Sequence, residues 1–270
     1  MDNRLIKIGR ILYGSSILAI GLLQLCYPGF RPVILPPWSL PGQIIWVWLT
    51  GFLLIGAGLA IILEKQVYTV SLLLGGFFLA LFVLGHVPYE LFVDPYGQHL
   101  GVWTNALKEL ALSGGAFALA GSFPGEGSPS QNRHPLIRLL EKFMPLGRVF
   151  FSITMISFGI DHFLYTKGVA TLVPAWIPGP IFWTYFAAVA LIGSGLAIIL
   201  KIELRRVAFL LATMIFMWVI VLHIPRAVAA PFGAESNEVI SVFEAVNFTG
   251  IAILIAYRHY ERFALPKPTL

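Results

Sequence analysis

The sequence predicts an all-α, polytopic membrane protein of eight transmembrane helices, arranged as two tandem four-helix bundles related by a pseudo-two-fold axis along the membrane normal. Three observations carry that expectation. Apolar residues make up 58% of the chain and charged residues 11%, where a soluble domain carries about 25% charged. Such a chain has too little polar surface to cover itself in water, and a mean hydropathy of +0.84 agrees. Eight apolar runs each approach the ~20 residues that cross a bilayer. Finally, one stretch is written twice. Residues 54–63 and 191–200 are identical except for Ala57 against Ser194, and a match at such a distance marks an internal repeat.

The repeat reaches well beyond that stretch. Gly9-Arg10 pairs with Gly147-Arg148, Gly21 with Gly159, and Pro36-x-Trp38 with Pro174-x-Trp176. His86-Val87-Pro88 pairs with His223-Ile224-Pro225, and Glu109 with Glu244. The expected units are a first four-span repeat over 1–122, a linker over 123–146 and a second repeat with its tail over 147–270.

Taken in order, the first-copy spans are 8–27, 44–63, 67–88 and 103–122. Those of the second are 147–165, 181–200, 206–225 and 239–257. The fourth and eighth carry charges near their starts. Basic residues at the N-terminus followed by an apolar run suggest a signal peptide, but no small-x-small cleavage site follows. The run also belongs to the repeat, so it is expected to remain as the first span. An even number of spans per copy gives both copies the same orientation.

Lys and Arg set that orientation. One side holds Arg4, Lys7, Arg10, Lys65, Arg133, Arg138, Lys142, Arg148, Lys201, Arg205, Arg206, Arg258, Arg262 and Lys267. The other holds Arg31, Lys108, Lys167 and Arg226. Both termini are therefore expected in the cytoplasm of a multi-pass cell-membrane protein. The bases form no continuous face, so the net charge of +5 points to membrane orientation and not to nucleic acid.

Between the copies, 124–132 is polar and flexible in composition. Pro135 to Met144 alternates Leu and Ile with Arg138, Glu141 and Lys142, the pattern of a short amphipathic helix lying on the cytoplasmic surface or docked on the bundle. Prolines stiffen the outer loops at 28–41 and 174–180. Trp38, Trp46, Trp48, Trp103, Trp176 and Trp183 fall near the outer boundary, either as an aromatic belt or as walls of a flat ligand site. Gly56-Ala57-Gly58 and Gly193-Ser194-Gly195 read as helix-packing seams. The single cysteine, Cys26, excludes an internal disulfide, a Cys-x-x-Cys pair and a cysteine-held iron–sulfur cluster.

Polar residues of the second copy gather at one depth. Asp161 and His162 lie near the outer end of the fifth span. His223 closes the seventh, with Arg226 one turn on. Glu244 and Asn247 share a face near the start of the eighth. A charge within the bilayer is costly, so Glu244 is expected to have a partner, with His223 or Arg226 the nearest candidates. The first copy keeps His86 and Glu109 but has Gln24 and Leu23 in place of His162 and Asp161, and Glu90 near the place of Arg226.

Three readings fit this cluster. It is a hydrogen-bonded clasp between helix ends, a site for a quinone-like amphipathic molecule whose ring oxygens meet histidine and carboxylate, or a metal site of Asp161, His162, His223 and Glu244. No His-x-x-Glu spacing supports the last.

The second copy resembles the DoxX-like family of small four-span membrane proteins. The resemblance rests on Gly159-Ile-Asp161-His162-Phe163, Leu172-Val-Pro174-Ala-Trp176-Ile-Pro178, Gly193-x-Gly195 and His223-Ile-Pro225. It covers 147–257 well and 9–122 more weakly. It implies a membrane subunit of a quinone-linked or redox-stress system, with a quinone and a redox partner subunit as associates. A non-enzymatic scaffold and a small-molecule or lipid transporter are the alternatives. The expected ligand residues are His223, Glu244, Asp161, His162, Asn247, Arg226 and Trp176, with His86 and Glu109 from the first copy.

Overall fold

A computed structural model describes residues 2–27, 29–38, 40–123, 134–232 and 237–257. The polar stretch 124–132 and the basic tail with Arg258, Arg262 and Lys267 lie outside the described residues. Every regular element among those residues is helical. The first half contains α1 (Asp2–Cys26), α2 (Gln43–Ile62), α3 (Val67–Leu81), α4 (Val87–Phe92) and α5 (Thr104–Ala120). Then come α6 (Pro135–Glu141), α7 (Gly147–Leu164), α8 (Thr166–Ala170), α9 (Pro180–Leu200), α10 (Leu204–Trp218), α11 (Ile224–Ala229) and α12 (Asn237–Tyr257).

Seven helices among the described residues are long and apolar enough to cross a membrane. They match seven of the eight expected spans. The remaining one, 103–122, is α5, a helix of 17 residues that carries Lys108 and Glu109. Its composition is explained by its position. Ala, Gly and Ser make up nearly half of it, and most of its residues are buried. In lipid, small side chains let helix backbones approach closely, where apolar burial alone gives no drive to associate. By contrast, α2 and α9 are almost wholly apolar and expose much of their surface.

The helices do not sort into two bundles by halves. Within each half α1 packs on α2 and α7 on α9, while α3 lies on α5 and α10 on α12. Across the halves α1 runs along α12, α7 runs along α5, and α5 touches α12. The halves therefore interdigitate around α1, α5, α7 and α12. Polar side chains tie these helices to one another, and α5 to α3, through backbone carbonyls. Tyr13 donates to Leu112 O at 2.7 Å, Thr154 to Leu107 O at 2.7 Å, and Ser113 to Gly75 O at 2.8 Å.

Two π-helical turns interrupt the long hairpin helices, at Phe82–His86 and at Val219–His223. Each stands just before a proline, Pro88 or Pro225. Proline has no N–H and its ring crowds the carbonyl four residues back, so the ladder widens by one residue there. Each turn ends on a histidine, and the altered register decides where that imidazole points. Trp38 donates its indole N–H to the Gly85 carbonyl inside the first turn, at 3.1 Å.

The amphipathic segment after the linker docks on the protein. α6 packs against α3, with Leu140 buried in a cluster with Tyr68, Leu72 and Phe117. Tyr68 donates to Glu141 Oε1 at 2.8 Å. Truncating a buried leucine removes about 2–5 kcal/mol. Leu140→Ala is accordingly expected to release α6 while leaving the helical core intact. Hydrogen exchange should rise in 135–146 and stay unchanged in α5 and α12.

Candidate functional site

The polar groups meet where the halves meet. Lys108, on α5, places its ammonium 2.7 Å from Glu244 Oε2 on α12, with the two side chains 19% and 6% exposed. This corrects the expected pairing of Glu244 with His223 or Arg226. Arg226 instead forks onto Glu238, its Nε donating to Oε2 at 2.9 Å and its Nη2 to Oε1. A lysine from the first half therefore neutralises a carboxylate from the second, at low exposure, where an unpaired charge would be most costly.

Beside that ion pair lies a cavity of about 270 Å³. His223 enters it from the π turn at the end of α10, and His162 from the last turn of α7. The His162 ring sits with Nδ1 2.7 Å from the Phe158 carbonyl. A carbonyl only accepts, so Nδ1 carries the proton and donates, and the neutral ring keeps Nε2 free as an acceptor. Among the described residues the His223 ring has no hydrogen-bond partner, and it lies within electrostatic reach of Lys108, Arg226 and Glu238. Trp183 and Trp218 form an edge-to-face pair on one wall, with ring centres 6.5 Å apart. Phe158 and Phe248, 6.2 Å apart, form another. The result is an aromatic enclosure with two imidazoles and a Lys–Glu pair at its rim, a combination suited to a flat molecule bearing hydrogen-bonding oxygens.

The other expected site residues go elsewhere. Asn247 is fully buried and directs its amide to the Tyr13 carbonyl on α1, at 3.4 Å. Asp161 is buried outside the cavity lining, and its Oδ1 has no hydrogen-bond partner among the described residues. Trp176 is 72% exposed and lines a separate groove. His86 and Glu109 face each other at 3.4 Å, both fully buried, away from this cavity. Asp161, His162, His223 and Glu244 do not form a metal set, since no cluster of three or more candidate ligands occurs among the described residues.

Lys108, Trp218, Phe158 and Phe248 were not expected in the site. Lys108 adjoins Glu109, one of the expected site residues. The expectation pairs residues within one half, and the contact is between halves.

A family model described as DoxX matches residues 143–224, less than a third of the chain. The matched segment holds His162, Trp183, Trp218 and His223, whereas Lys108 and Glu244 fall outside it. No curated protein and no solved structure matches the chain.

Proposed function

We propose that the chain is a DoxX-like membrane protein serving a quinone-linked or redox-stress system, and that the cavity beside Lys108 and Glu244 takes the head of a quinone-like ligand. The observation that carries this reading is the convergence of His162, His223 and the Lys108–Glu244 pair on one aromatic-walled space. His162 offers Nε2 to a ring hydroxyl. His223 and the Lys108 ammonium can each donate to a ring oxygen. Trp183, Trp218 and Phe158 supply faces for the ring to stack on.

The same proposal includes a tandem duplication, with α5 as the fourth crossing, α12 as the eighth, and both termini in the cytoplasm. Paired backbone features support it. Glu64 and Gln66 take positive φ in the turn after α2, and Lys201 and Glu203 do so after α9. Gly42 and Gly179, each preceding one of those helices, also share positive φ. Left-handed backbone at a non-glycine residue is unfavourable by about 1–2 kcal/mol, so finding it twice at matching positions speaks for common descent. The two π turns and the reciprocal packing of α1 on α12 and α7 on α5 add to it.

A non-enzymatic scaffold is the second reading, favoured by the fact that Glu244 already has a partner. Titration of decylubiquinone into the protein in lipid nanodiscs separates the two. Trp183 and Trp218 fluorescence should be quenched on binding. His223→Ala should weaken binding by about tenfold, the worth of one hydrogen bond, without shifting the melting temperature. No quenching in the wild-type protein favours the scaffold.

A further inference from the structure

We propose that the ligand of this cavity carries a hydrocarbon tail, which leaves between Trp183 and Trp218 and lies in a groove between α9 and α10 open to the lipid. This rests on reading the cavity as a ligand site. It adds the ligand's class, a chain-bearing membrane lipid, and its direction of entry, sideways from the bilayer.

The groove measures about 710 Å³ and lies against the polar cavity. The two share Trp183, Met214 and Trp218 as a common wall. On the far side of that wall no ionisable side chain lines the space. The polar side has two imidazoles and an ion pair. The groove has Phe186, Ala190, Leu210 and Met217, and the Thr213 hydroxyl that lines it is already bonded to the Phe209 carbonyl at 2.9 Å. Its polar groups are few, the Ser194 hydroxyl and indole N–H groups besides that threonine, and no charged side chain lines it, so a saturated or isoprenoid chain fits the lining.

The helices make such a passage available. α9 packs along α7 and α10 along α12, while α9 and α10 touch each other less. Ala190 and Ser194 on α9 are small, which keeps the seam open on the groove side. The dividing wall is side chain, an edge-to-face pair of indoles and one flexible methionine, so rotamer changes can open it without moving a helix. The polar cavity, at about 270 Å³, lies at the small end of ligand pockets. A ring fits and a long chain does not. A tail attached to a head in that space must leave it, and the shared wall leads to hydrocarbon.

The test uses two probes in nanodiscs, the tail-less ubiquinone head (ubiquinone-0) and decylubiquinone, with Ala190→Trp as the groove-filling variant. The tail-bearing probe should lose about tenfold or more in affinity, since several methylenes lose their place. The tail-less probe should bind as it does to the wild-type protein. Ser194→Leu, on the same wall, serves if Ala190→Trp does not fold. His223→Ala should weaken both probes alike. If Ala190→Trp leaves both probes unchanged, or weakens both equally, the groove does not hold the tail, although the head site stands. If neither probe binds the wild-type protein, the head site itself is wrong and the tail inference falls with it.

Discussion

Replacing Glu244 by alanine is expected to destabilise the protein by about 3–5 kcal/mol, because it strands the Lys108 ammonium in a largely dry contact between α5 and α12. Lys108 is 19% exposed and Glu244 6%, so water can do little to repair the loss. Lys108→Ala should cost at least as much, since the carboxylate it strands is the more buried partner. The double variant Lys108→Met/Glu244→Leu should recover most of the stability, because buried ion pairs often exchange for apolar packing with little net change. A double-mutant cycle on unfolding in detergent measures the coupling. Single substitutions within about 0.5 kcal/mol of wild type, or a double variant as unstable as the sum of the two, would show that the pair does not hold the helices together. Glu244→Gln adds a functional axis. If it lowers stability and leaves decylubiquinone binding intact, the pair is a clasp beside the site and not a part of it.

Gly58→Leu and Gly195→Leu are expected to disrupt the fold, while Gly56→Leu and Gly193→Leu are tolerated. A Cβ at Gly58 would sit 2.6 Å from the Leu18 amide nitrogen and 2.7 Å from the Gly14 carbonyl oxygen on α1. At Gly195 it would lie 2.6 Å from the Ile156 side chain and 2.9 Å from the Ser152 carbonyl oxygen on α7. Backbone cannot yield there, so α1 would separate from α2 and α7 from α9. Overpacking of this kind costs about 1–3 kcal/mol for a few added methylenes, and a leucine against a carbonyl should exceed that range. Among the described residues, and apart from the helix's own backbone, no atom lies within 4 Å of a Cβ at Gly56 or Gly193. Thermal melts of the four variants should therefore fall into two classes. Equal loss at all four would contradict the seam geometry.

That contrast also shows what the sequence could and could not express. The two Gly-x-Gly pairs were expected to form packing seams, but only the second glycine of each pair does so. Spacing places two glycines on neighbouring faces of a helix, and only the partner helix decides which face is covered. The apolar runs placed seven crossings within a few residues, because lipid imposes a length that side chains must meet. His162, His223 and Glu244 were grouped by depth, and they line one cavity since helices that cross a bilayer bring equal depths together. Depth says nothing about azimuth. Asn247 shares a helix face with Glu244 in sequence spacing, yet it turns to Tyr13 on α1 because α12 is covered by α1 on that side. Arg226 stands one turn from His223 and is drawn to Glu238 instead. The pairing of Lys108 with Glu244 is not legible in the sequence because the two lie in different halves, and the interdigitation of α1 with α12 and of α7 with α5 leaves no signature in the periodicity of any single helix.

Solvent extraction of the protein purified in mild detergent, followed by mass spectrometry, tests the central claim most directly. A cavity built for the head of a membrane quinone should retain one through purification. The extract should hold a quinone at close to one per chain, and His223→Ala prepared in parallel should lose most of it while melting at the same temperature. An extract with no quinone from the wild-type protein, together with no spectral change on adding decylubiquinone, would mean that His162, His223, Lys108 and Glu244 surround a space the molecule does not use.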